Sequence, residues 1–203
     1  MTPTESLWTN KLAKWVSRVL NPLVVLPPVL ATASFQTPNG FIENLKWFTV
    51  TLVFSIVVPA SAVLWELRHG RISGWDIPDR RQRMRPAVVG TAVVGALAPL
   101  GIIVAFNGPA ALLAIYAAGL TVTILSLGIT SVWKISQHAL SIGSATTFLY
   151  AVLGTMAAPL LLLIPLVCWA RVRAGAHTRW QVIAGAAMGV SITPLYLRAF
   201  GLI

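Results

Sequence analysis

Arg171 and His177, with five residues between them, sit between apolar stretches of a chain in which 57% of residues are hydrophobic and 10% charged. In such a composition a cation at the edge of an apolar stretch needs a reason. Arginine presents a planar fork of donors that matches phosphate oxygens and stays charged. A neutral imidazole can attack phosphorus and form a phosphoenzyme. An earlier polar break holds Lys134, Ser136 and His138. A helix starting there would aim free N–H groups at an anion, and a second histidine could protonate a departing oxygen as general acid. The first break packs Arg80, Arg81, Arg83 and Arg85 into six residues behind Asp79, and Pro86 suits the first turn of the helix that follows. Together the three breaks read as a site for handling phosphate.

Each break taken alone has a plainer explanation. Arg171, Arg173 and Arg179 could snorkel to a membrane interface. Ser136 could serve as an N-cap, with His138 at the interface. The four clustered arginines could be a positive-inside anchor or a lipid-binding patch. The breaks alternate with pairs of apolar stretches, however, which puts all three on one membrane face. Two of only three histidines then lie on that face.

The elements that must carry these residues are membrane helices. A mean hydropathy of +0.80 and only five acidic side chains in 203 residues exclude an ordinary soluble domain and equally exclude disorder. A net charge of +10 would suggest nucleic acid in a soluble protein; here the expected partners are anionic membrane lipids and a phosphorylated lipid substrate, not nucleic acid. The single cysteine, Cys168, rules out an intramolecular disulfide and any multi-cysteine metal site. Since a bilayer core takes roughly 20 apolar residues per helix, candidate spans cover 17–35, 46–67, 87–106, 109–132, 139–155, 156–170 and 180–200. Asn21-Pro22 and Pro27-Pro28 make the first irregular, and the region of Gly154 suits a tight hairpin. Gly143, Ser144, Ala145 and the run Ala184–Ala187 with Gly189 suit close helix contacts. The expected fold is all-α, a polytopic bundle of six or seven spans forming one integral membrane domain over residues 1–203. No secretory signal peptide is apparent. Within residues 1–16, and on to Val19, Trp8, Leu12, Trp15 and Val16 recur at helical spacing with Lys11 and Lys14 on other faces. This segment reads either as an interfacial amphipathic helix or as a polar lead-in to the first span.

From residue 79 onward the chain resembles the type 2 phosphatidic acid phosphatase family, related to vanadium haloperoxidases. That family shows Lys-x6-Arg-Pro, then Pro-Ser-Gly-His, then Ser-Arg-x5-His-x3-Asp. Arg85-Pro86 matches the end of the first motif, Ser136 and His138 the second, Arg171 and His177 the third. The resemblance implies His177 as nucleophile, His138 as general acid, and Arg85, Arg171 and Ser136 as phosphate ligands, with no metal and no cofactor. The chain departs from this pattern at positions that bear on the chemistry. Pro78 stands at the lysine position, so Arg80 or Arg81 must substitute, or the site lacks one cation. Gln137 replaces glycine and Ala170 replaces serine. Gln181 stands where an aspartate would orient His177, so it accepts a hydrogen bond but brings no charge.

The reading is a membrane hydrolase of a lipid phosphate or diphosphate, with a prenyl or diacylglycerol tail. A catalytically weak or inactive lipid-phosphate binder is the principal alternative, because of Gln181. A prenyltransferase would want aspartate-rich motifs, of which Asp76 and Asp79 supply a fragment. A transporter would leave the spacing of Arg171 and His177 accidental. The expected location is a prokaryotic plasma membrane. With seven spans, Lys11, Lys14, Arg18, Arg68 and Arg71 join the motif face while Lys46 and Arg198 face away, which points the motifs to the cytoplasm.

Overall fold

The computed structural model describes the backbone of residues 3–203 and the side chains of residues 7–203. Every regular element among them is helical: α1 (Pro3–Val19), α2 (Pro22–Ser34), α3 (Phe41–Leu52), a π-helical turn (Val53–Val57) leading into α4 (Val58–Arg68), α5 (Arg80–Arg83), α6 (Pro86–Ala105), α7 (Ala110–Val132), α8 (Gln137–Leu153), a 3-10 stretch (Gly154–Leu162) leading into α9 (Leu163–Arg173), and α10 (Arg179–Ala199). Six helical stretches among these are long and apolar enough to cross a membrane. The chain is an all-α polytopic bundle, as its hydropathy requires.

The helices divide into two compact units. One comprises Met1–Val29, Ile135–Leu195 and Ile203; the other comprises Leu30–Lys134 and Tyr196–Leu202.

In the first unit, α1 stops before Asn21, whose side-chain oxygen accepts from the Leu23 N–H at 2.9 Å as Pro22 opens α2. The irregularity expected in the first span therefore falls at Asn21-Pro22. Pro27 and Pro28 stay inside α2 without ending it. The stretch Gln137–Arg173 doubles back at Gly154, whose φ of 67° is left-handed and free of a Cβ penalty only in glycine. The returning α9 packs along α8, and Ala139, Ile142, Val167, Val182 and Ala186 form the shared core of α8, α9 and α10. Small residues let α10 approach α8 closely, as the sequence suggested. A Cβ on Gly185 would stand 2.6 Å from the Ser136 carbonyl, and one on Gly143 2.8 Å from the Ala186 carbonyl. One on Gly189 would press still closer on the Leu140 carbonyl. α1 packs on α9, with Ala13 and Val16 against Ala170, so it is docked along that face while Trp8, Leu12 and Trp15 remain exposed.

In the second unit, α6 and α7 pair and α4 packs on α6. The π-helical turn loosens the backbone where Tyr116 reaches in, its hydroxyl 2.6 Å from Ser55 Oγ and donating to the Thr51 carbonyl at 3.2 Å. Tyr196 closes on Thr121 at 2.5 Å.

Candidate functional site

The second and third motifs meet in the first unit. His177 lies in the turn between α9 and α10, where its backbone N–H and that of Ala176 both donate to the Arg171 carbonyl, at 3.3 and 3.1 Å. This ties the arginine at the end of α9 to the histidine that follows it. The His177 Nδ1 stands 3.1 Å from Gln181 Oε1. Gln181 in turn accepts through its backbone carbonyl from the Ser136 N–H at 3.2 Å. Ser136 opens α8, its hydroxyl accepting from the Ala139 N–H at 3.4 Å, and His138 follows within the first turn. One hydrogen-bonded path thus runs from Arg171 through His177 and Gln181 to Ser136. Ser136, His138, Arg171 and His177 are 0, 5, 4 and 7% exposed, although serine is mostly exposed in folded proteins and arginine almost never buries unless paired.

Gln181 owes its place to local helix chemistry. Thr178 precedes α10 and Gln181 follows three residues later. The Gln181 N–H donates to Thr178 Oγ1 at 3.4 Å, and the Thr178 N–H donates to Gln181 Oε1 at 3.1 Å. This is a capping box, which satisfies amides that a helix start leaves bare. Its signature, Thr-x-x-Gln, is readable in the sequence, but the reading above took Gln181 only as a replaced aspartate. Ser17 was also passed over: its carbonyl, in the last turn of α1, stands 3.2 Å from His138 Nε2.

The arginines of the first motif lie in the second unit, each with its own surroundings. Arg80 Nη1 donates to the Thr130 carbonyl at 3.2 Å and makes a shorter contact with the Ser131 carbonyl. Arg81 is exposed, and its backbone N–H is capped by Asp79 at 2.9 Å. Arg83 is buried, with Nε donating to the Ile77 carbonyl at 2.7 Å, so it braces the loop. Arg85 stands as the N-cap residue of α6 with Pro86 behind it, as its spacing suggested. Its Nε donates to Glu66 Oε2 at 2.5 Å, and Arg71 Nη1 lies 3.6 Å from Glu66 Oε1. Glu66 is 1% exposed and had no place in the sequence reading. An acid inside an apolar stretch with Arg68 and Arg71 close behind was the available signal, since buried charges pair.

A family profile described as PAP2 superfamily matches residues 87–202. The match takes in the second and third motifs and begins just after Arg85-Pro86. Comparison with curated proteins finds no match, and neither does comparison with solved structures.

Proposed function

This chain belongs to the PAP2 superfamily, whose members are phosphatases, and on that premise we propose that it hydrolyses a lipid phosphate or diphosphate through a phosphohistidine, without metal. The observation that carries the reading is the hydrogen-bonded path joining Arg171, His177, Gln181 and Ser136, with His138 in the first turn of α8. A carboxamide oxygen can only accept, so Gln181 Oε1 takes the Nδ1–H of His177 and leaves the lone pair on Nε2. That pair attacks phosphorus as the bond to the lipid oxygen breaks. His138 gives the leaving oxygen its proton. Water then attacks phosphorus, His138 takes a proton from it, and the P–N bond breaks to regenerate His177. Arg171 compensates the charge on the equatorial oxygens, the main burden of phosphoryl transfer.

Ser136 lends its hydroxyl to the helix cap and is read as a phosphate neighbour at the start of α8, where N–H groups favour anions. The part of Arg85, Arg80 and Arg81 in phosphate binding rests on the resemblance alone. The apolar surroundings favour a prenyl or diacylglycerol tail, and the site is read as facing the cytoplasm from a prokaryotic plasma membrane. Among the described residues no three His, Cys, Asp or Glu side chains gather as metal ligands would.

The test is phosphate release by the detergent-solubilised full chain across lipid mono- and diphosphates, with and without chelator. Release should survive chelator, yield to vanadate, and vanish in His177→Ala and Arg171→Ala variants that still fold. Release abolished by chelator would overturn the route. A neutral partner for His177 favours a second reading, a lipid-phosphate binder. Vanadate binding that requires Arg171, with no release from any substrate, would establish that reading instead.

A further inference from the structure

α1 presents three faces at helical spacing. Ala13 and Val16 turn inward onto α9. Trp8, Leu12, Trp15 and Val19 form an exposed apolar stripe. Beside the stripe run Lys11, Lys14 and Arg18, also exposed, with the Lys11 ammonium 5.5 Å from the centre of the Trp8 ring. Trp8, Leu12 and Trp15 of the stripe and the three cations line one open groove, and no acidic residue occurs between Leu7 and Arg18. Two ties lead from α1 toward the motif residues. Thr9 Oγ1 accepts from Arg173 Nη2 at 2.8 Å, and the Ser17 carbonyl stands 3.2 Å from His138 Nε2.

We propose that this outer face of α1 binds the anionic headgroups of bilayer phospholipids, and that the bound lipid holds the ring of His138 in place through the Ser17 carbonyl. Unbalanced positive charge selects an acidic occupant. The interleaved tryptophans and leucine select one with an apolar layer beneath its charges, which a lipid bilayer has and an acidic protein surface lacks. Clustered lysine and arginine gain most near an anionic leaflet. A carbonyl only accepts, so His138 donates to it through Nε2, and a proton delivered to a leaving group departs from Nδ1. Settling α1 on the membrane therefore orients the ring nitrogen that does the chemistry. The lipid contact stands apart from the hydrolase reading, whereas its consequence for turnover rests on that reading.

Two measurements that need no turnover test this. Native mass spectrometry of the full chain in detergent should show phosphatidylglycerol retained in preference to phosphatidylcholine. The triple variant Lys11→Gln/Lys14→Gln/Arg18→Gln should retain roughly a hundredfold less phosphatidylglycerol. Lys46→Gln, elsewhere on the surface, should leave the preference intact, and so should the charge-keeping pair Lys11→Arg/Lys14→Arg. In nanodiscs, adding phosphatidylglycerol should shift the NMR signals of the His138 ring in the native chain and not in the triple variant. Undiminished retention by the triple variant would overturn the lipid surface. A His138 signal indifferent to phosphatidylglycerol would overturn the link to the ring.

Discussion

The Gln181 amide oxygen faces two partners at once, the Thr178 N–H and the His177 ring, each at 3.1 Å. A capping box works with either Gln or Glu at this position, so the neutral residue is not forced by the helix. Gln181→Glu keeps the reach to both partners and adds a charge opposite the imidazolium that forms during attack. Rapid-quench measurement should show faster phosphoenzyme formation in Gln181→Glu and a smaller gain in Gln181→Asp, which is one methylene shorter. The scale is set by a serine-protease triad, where replacing the orienting aspartate by asparagine cost ~10⁴ in turnover. A rate unchanged or lower in both variants would mean that the network is built around the amide. Arg83 is a contrasting case, because its buried guanidinium donates to the Ile77 carbonyl and its role is structural. Arg83→Ala should lower stability by about 2 kcal/mol, the usual loss for a buried charged hydrogen bond. Thermal unfolding in detergent reads this directly.

Close approach of α8 and α10 depends on glycine. A Cβ on Gly189 would meet the Leu140 carbonyl and the Ser144 amide, both backbone groups that cannot swing aside. Gly189→Ala should therefore cost about 1–3 kcal/mol, as overpacking does, and should lower phosphate release by shifting α10 against the helix that carries His138. Gly90 in α6 has nothing within 4 Å of its missing Cβ. Gly90→Ala should be neutral or stabilising by up to about 1 kcal/mol, since alanine favours helix. Unfolding midpoints of the two variants in one detergent give the comparison. Equal effects would show that the crossing tolerates a side chain.

The chain is an integral membrane protein by its six apolar helical stretches, and its orientation is a matter of loop charge. Counted over the seven spans expected from the sequence, with α1 outside them, the cations beyond the motifs split five to two: Lys11, Lys14, Arg18, Arg68 and Arg71 on the motif side against Lys46 and Arg198. By the positive-inside rule, we propose that the motifs face the cytoplasm. Cysteines placed singly at Ser73 and Asn107 in a Cys168→Ala background should label differently with an impermeant thiol reagent in intact cells. Asn107→Cys should react and Ser73→Cys should not. The reverse pattern would turn the molecule over.

Hydropathy and spacing alone determined the helical class, the approximate spans, the turn at Gly154 and the nearness of His177 to Arg171, because these depend on local composition and short chain separations. A bilayer leaves few ways to satisfy backbone polar groups, so apolar length translates almost directly into helices. Residue types at fixed intervals likewise announced Pro86 behind Arg85 and the small residues of α8 and α10. What the sequence could not determine was partnership across long separations. That Glu66 would bury itself against Arg85, 19 residues on, follows from how α4 and α6 pack. That the Ser17 carbonyl would reach His138, 121 residues away, follows from α1 docking on α9. Hydrogen bonds and ion pairs act over a few ångströms, and only the tertiary structure decides which distant groups come that close.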